Sequence, residues 1–190
     1  MRRTMAWMGA AGLALVLTAG MWVGSAGADT EQALTFVAKN GVSTANGTFH
    51  RWEVARASVD PADLAGGEVV VRVDLASVDT GIEDRDDHLR TPDFFDVERF
   101  PSATARLHSA TPNGTNAAGE PVYAVKIDLD LHGVKKTLDG SFVVVQPDPF
   151  EVRGEVALDR LDFGIGEPDQ WWNPLAIRER VDVSFHAQLP

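Results

Sequence analysis

Val69-Val70-Val71-Arg72-Val73-Asp74-Leu75 is the stretch that decides the fold. Successive side chains of an extended strand point to opposite faces, so Val69, Val71, Val73 and Leu75 share one face while Val70, Arg72 and Asp74 share the other. A strand with one wholly apolar face and one charged face is buried on one side only, which is the habit of antiparallel sheet.

The same period recurs on both sides of it. Upstream, Leu34, Phe36 and Ala38 alternate with Thr35, Val37 and Lys39 as far as Asn40-Gly41. A second strand is expected to open over Gly41–Phe49 and run through Trp52 and Val54 toward Val59, with its turn marked by Asp60-Pro61-Ala62-Asp63 and Gly66-Gly67. Downstream, Ala103, Ala105 and Leu107 alternate with Thr104, Arg106 and His108, and a polar loop from Thr111 to Glu120 follows. Val125, Ile127, Leu129 and Leu131 face away from Lys126, Asp128 and Asp130; Phe142 and Val144 lead to Pro147-Asp148-Pro149. Val152, Gly154, Val156 and Leu158 form a further strand, and Val181, Val183, Phe185 and Ala187 the last, against Asp182, Ser184 and His186.

These amount to about eight strands with no βαβ rhythm and no internal repeat, an all-β pattern that favours a closed antiparallel barrel. The apolar phase of the three clearest strands makes Val71, Val73, Ile127, Leu129, Val183 and Phe185 the expected interior lining. Small inward alanines beside large aliphatic residues suggest an interior not filled by its own side chains. Asn46-Gly47-Thr48 and Asn113-Gly114-Thr115 match the glycosylation acceptor pattern, but Asn-Gly is also the commonest tight hairpin turn, and both are read as turns.

The alternation stops once, at Thr80-Gly-Ile-Glu-Asp-Arg-Asp-Asp-His-Leu-Arg-Thr-Pro-Asp-Phe-Phe-Asp96. Ile82, Asp86 and Leu89 are spaced for one or two helical turns, which Pro92 ends. Asp79, Asp84, Asp86, Asp87, Asp93 and Asp96 offer carboxylates for hydrolysis or, more plainly, for caps and local ion pairs, with Asp84 and Asp96 well placed for cap and turn bonds. Phe94-Phe95 and Trp171-Trp172 fall in loops or short helices, where burial is not explained by strand alternation. They are expected to pack as a lid over the barrel end, with ring faces available to an apolar ligand. The histidines, His50, His88, His108, His132 and His186, are not paired at metal-ligand spacings, and His50, His108 and His186 sit on polar strand faces. No nucleophile elbow and no Gly-rich phosphate loop is present.

The N-terminus has its own character. Arg2-Arg3, an apolar run from Met5 to Val23 and then Gly24-Ser25-Ala26-Gly27-Ala28 form a secretory signal pattern, with cleavage expected after Ala28. Uncleaved, the run is nearly long enough to anchor the chain in a bilayer. Of 190 residues, cleavage leaves 190 − 28 = 162, residues 29–190, a single-domain length. That piece keeps 17 − 2 = 15 basic residues against 28 acidic ones, a charge of −13 that argues against nucleic acid and anionic membrane as partners. With no cysteine there is no disulfide framework, thiolate metal site or lipidated cysteine.

Asp79-Thr80-Gly81, Arg85-Asp86-Asp87-His88-Leu89-Arg90 and Asp93-Phe94-Phe95-Asp96-Val97-Glu98 with Phe100-Pro101 closely resemble the signature of the YceI-like family, the polyisoprenoid-binding proteins of the bacterial periplasm. Gly41–Phe49, Leu129–Lys136 and Leu158–Gly166 resemble further family segments in the same order, and Gly133 reads as a bend that turns one long strand around a barrel corner. One departure is Lys39, where a histidine is common. The resemblance covers Leu34 to Leu189 and implies a lipocalin-like barrel whose apolar tunnel holds a long isoprenoid chain, a polyprenyl lipid or an isoprenoid quinone, with no cofactor and no catalysis. Arg85, Asp86 and His88 then form a signature at the barrel mouth, serving either the fold, through pairs of Arg85 with Asp84, Asp93 or Asp96, or a ligand head group. The competing classes are an enzyme acting on such a lipid through the acids of residues 79–96 and a ligand-free periplasmic stress or structural protein. Homodimerisation is left open.

Overall fold

The computed structural model describes residues 32–168, 173 and 176–189. Val69–Asp74 becomes the second half of the twelve-residue strand β4 (Asp63–Asp74), and Leu75 opens the 3-10 turn at Leu75–Ser77 that follows. Around it lie β1 (Ala33–Lys39), β2 (Thr44–Phe49), β3 (Trp52–Asp60), β5 (Val78–Asp79), β6 (Ser102–Thr115), β7 (Pro121–Leu131), β8 (Val134–Pro147), β9 (Phe150–Asp159) and β10 (Arg180–Gln188), with one helix, α1 (Glu83–Arg90).

All the strands join one antiparallel sheet in the order β3-β4-β6-β7-β8-β9-β10-β1-β2-β5. Only His50 and Arg51 separate β2 from β3 in the chain, yet these strands lie near opposite edges of that order. The sheet must therefore curl until its edges meet, and it forms a barrel-like wall. The junction is tied where Asp74 N donates to Arg51 O at 2.9 Å and His50 N to Ser77 O at 3.2 Å.

The antiparallel barrel expected from the alternation is present, with ten strands among the described residues rather than eight. The difference has two sources: the long second strand breaks at His50-Arg51 into β2 and β3, and Val78–Asp79 adds a short strand that pairs with Thr48 and Phe49.

Several turn assignments also change. Asn46-Gly47 lies inside β2, where Gly47 faces Phe36 across the ladder, and the chain turns elsewhere. Asn113-Gly114 belongs to the irregular end of β6, and the turn follows at Asn116–Gly119. Gly66-Gly67 is within β4, because Pro61-Ala62 makes a tighter turn than expected. Gly133 does not bend a continuous strand. With φ of 54° at His132 and 77° at Gly133, the pair forms a two-residue hairpin turn between Leu131 and Val134, a geometry that matches the twist of the flanking strands.

The most deeply buried side chains, Phe163, Val78 and Leu75, cluster with Phe36, Phe49, Leu131 and Ile165 near the helix end of the barrel. A smaller cluster of Val152, Ala187 and Leu189 packs with Val59, Phe142 and Phe150. The apolar faces are thus consolidated in two groups instead of one filled centre.

Candidate ligand-binding site

Because inward positions recur on every second residue, the curled sheet encloses a cavity of about 260 Å³ with an almost wholly apolar wall. Every strand except β5 contributes to it. β4 supplies Val69, Val71 and Val73; β7 supplies Val125, Ile127, Leu129 and Leu131; β10 supplies Val181, Val183, Phe185 and Ala187. Short side chains at Ala38, Ala105, Ala110 and Ala187 leave the space that aliphatic residues would otherwise fill. The lining reaches from Leu64 at the start of β4 to Leu75 just after its end, a strand path of about 35 Å at about 3.3 Å per residue, shortened by tilt. One end carries Leu89, Phe94, Phe95, Arg160 and Ile165, and the other Val59, Leu64, Phe150 and Leu189.

Val71, Val73, Phe94, Phe95, Ile127, Leu129, Val183 and Phe185 all line this single cavity. Trp171 and Trp172 lie outside the described residues. Phe95 meets Phe49 edge-on at 5.9 Å, and Phe49 meets Phe36 at 5.5 Å, so an aromatic wall continues from the loop after α1 into the lumen.

Arg85, Asp86 and His88 are not among the lining residues. Asp86, 7% exposed, accepts from Thr80 N at 2.9 Å and Thr80 Oγ1 at 2.5 Å. Arg85 bonds the same threonine, through Nε to Oγ1 at 2.7 Å and Nη2 to the carbonyl at 2.9 Å. The acids considered for Arg85 are replaced by Thr80, and the motif knots the start of α1 to the end of β5. His88 packs edge-on against Phe94 at 4.9 Å and lies 3.5 Å from Asp93. The helix N-cap is Ile82, which has no capping side chain, and Asp84 falls in the first turn instead, beside Glu83 and Asp86, where acids suit the helix dipole. Arg90 clamps the helix from the other end, with Nε to Ala76 O at 3.1 Å and Nη2 to Val78 O at 2.8 Å.

Two lining residues carry more weight than their sequence signal suggested. Trp52 stands on the lumen side of β3 and joins both apolar clusters. Arg160, 5% exposed, donates to Arg178 O at 3.1 Å, Ile165 O at 2.7 Å, Glu167 O at 2.6 Å and Ile177 O at 2.7 Å. It holds the segment after β9 to the segment before β10 at the lumen end. Asp159-Arg160-Leu161-Asp162 stood out in the sequence only as a motif, and a buried arginine serving four carbonyls is a tertiary fact that no period reveals.

Among the described residues, no aspartate or glutamate lines the cavity. Several acids of residues 79–96 are engaged outside it. Asp79 is held below the usual carboxylate range, chiefly by its bond to His50 at 2.9 Å and then by the Gly81 amide, and Asp87 pairs with Arg90 at 2.8 Å. The histidines likewise find separate partners: His132 Nδ1 donates to Phe163 O at 3.0 Å, His186 lies 2.5 Å from Glu151, and His108 lies 3.2 Å from Asp128. Asp128 is lowered first by its bond from Thr137, with His108 and Arg106 adding to the effect. His108 also borders the lumen, because the ladder slips between it and Thr111. The arrangement can remove apolar groups from water.

Residues 28–189 match the YceI-like domain. The chain belongs to the YceI-like family. A UPF0312 protein of Vibrio cholerae is 31% identical over 155 residues, 78% of this chain and 75% of the relative. One from Pseudomonas fluorescens is 34% identical over 131 residues, 65% of this chain and 66% of the relative. Among solved structures, Burkholderia cenocepacia BcnA superposes with a TM-score of 0.69 at 24% identity, covering 82% of this chain and 94% of that one. A polyisoprenoid binding domain from Saccharophagus degradans, implicated in plant cell wall breakdown, gives 0.58 at 19% identity over 83% and 92%. At these identities the two structures establish that this YceI-like chain shares their fold.

Proposed function

We propose that this YceI-like protein is a non-catalytic carrier that holds a long isoprenoid chain, a polyprenyl lipid or an isoprenoid quinone, inside the barrel. The observation that carries the reading is the continuous apolar lumen reaching from Leu64 to Phe94, with no carboxylate in its wall among the described residues. At roughly 10–15 Å³ per water-sized group, 260 Å³ takes on the order of twenty such groups, about four isoprene units. Each buried methylene contributes about 0.8 kcal/mol, so ten of them supply about 8 kcal/mol, micromolar affinity before ordering costs. Binding then needs no strong polar contact, and tunnel length and calibre become the selective features. The leader pattern ending at Ala28 supports export to the periplasm or beyond, with a carrier that is free of the membrane once the leader is removed.

Trp52 provides the test. In leader-free protein carrying Trp171→Phe and Trp172→Phe, it is the remaining tryptophan. Titrating stripped protein with geranylgeraniol, a four-unit polyprenyl alcohol, should give a saturable shift of its emission to shorter wavelength. Emission unchanged at saturating lipid would contradict occupancy of the lumen.

A further inference from the structure

The two lumen-lining phenylalanines on the neighbouring strands β1 and β10 each reach across a ladder toward a glycine. Phe36 faces Gly47 across the β1–β2 ladder, and a Cβ built on Gly47 would lie 2.2 Å from Cζ and 2.4 Å from Cε1 of that ring. The tip of the ring therefore reaches over Gly47, which is buried in phase with the lumen residue Phe49. On the other side Phe185 faces Gly154 across the β9–β10 ladder, and the corresponding distance to Cζ is 2.2 Å. Between the two rings β1 and β10 pair Phe36 with Val183 and Leu34 with Phe185. The rings reach in opposite directions, each toward a glycine, with Leu34 and Val183 between them.

We propose that Gly47 and Gly154 set the calibre of the lumen: by accepting Phe36 and Phe185 against the wall they admit a methyl-branched chain where a narrower lumen takes only a straight one. This rests on the carrier reading and names two positions that decide which class of chain is carried. An isoprenoid bears a methyl on every fourth main-chain carbon, so its cross-section exceeds that of an n-alkyl chain along its whole length. Glycine at these places is a matter of space, since neither has a positive φ. Gly47 is the cleaner of the two. The three atoms nearest its new methyl all belong to the Phe36 ring, whereas a methyl at Gly154 would also lie 2.6 Å from the Ser141 carbonyl.

The experiment compares geranylgeraniol with hexadecanol, a straight alcohol of the same main-chain length, on stripped wild type, Gly47→Ala and the double variant Gly47→Ala/Phe36→Leu. With the wall behind it, the displaced ring in Gly47→Ala must turn into the lumen. Affinity for the branched chain should fall about tenfold or more, while affinity for the straight chain changes about threefold or less. The double variant removes the ring that the methyl meets, so it should fold and recover branched-chain binding, also in the event that the single variant does not fold. Equal losses for both alcohols, no loss for either, or a double variant as impaired as the single one would overturn the assignment. Wild type that binds neither alcohol would instead contradict the carrier reading, so the two failures are distinct.

Discussion

Val73→Asp is expected to abolish retention of an apolar ligand, and Arg72→Ala, one residue away, to leave it intact. Val73 is 8% exposed, lines the lumen and sits between Trp52 and Ala103 in neighbouring strands, so a carboxylate there is set among apolar side chains. An uncompensated buried charge costs several kcal/mol even after relaxation, against a typical total stability of about 5–15 kcal/mol. The variant either fails to fold or folds with a lumen that rejects an apolar chain. Arg72 points the other way, exposed between Glu53 and Thr104. Its loss should shift stability by no more than about 0.5 kcal/mol. Thermal melting together with the lipid content of the purified variants checks both, and equal tolerance at the two positions would mean that the assigned faces are reversed.

The second large effect is expected at Arg160. Arg160→Leu keeps the volume apolar but strips the four backbone carbonyls of Ile165, Glu167, Ile177 and Arg178 of their donor. Leaving a buried acceptor unsatisfied costs about 1–3 kcal/mol, and even with water reaching some of them a net loss of at least about 3 kcal/mol follows. For a domain of this size that is a fall in Tm of about 6–12 °C. Arg160→Lys should recover only part of it, because an ammonium cannot span carbonyls that a planar guanidinium fork reaches together. A melting temperature for Arg160→Leu within about 2 °C of wild type would mean that the latch contributes little.

What the sequence revealed and what it hid divide along a physical line. The inward faces of β4, β7 and β10 were legible because burial on one side forces a period of two, and that period survives in the letters Val71, Val73, Ile127, Leu129, Val183 and Phe185. The break at Thr80–Asp96 was legible as a short helix for the complementary reason, the loss of that period. The splitting of the second strand was not, since His50-Arg51 carries no breaker and the bend there is imposed by closure of the sheet. Asn46-Gly47 misled because a local turn signal competes with a demand made by another strand: Gly47 is there to receive the Phe36 ring. Arg85 misled in a similar way. An arginine among acids suggests an ion pair, but Asp86 and Arg85 both converge on Thr80, a residue whose part could not be read before the helix was placed against β5.

The most direct measurement is extraction of the natively purified protein with organic solvent, followed by mass spectrometry of the extract. The carrier account predicts one chain class at close to one molecule per protein, built of five-carbon repeats and accompanied or not by a quinone ring, and its disappearance from Val73→Asp. An extract with no lipid above that of Val73→Asp, or one holding only a random sample of membrane phospholipid, would contradict it.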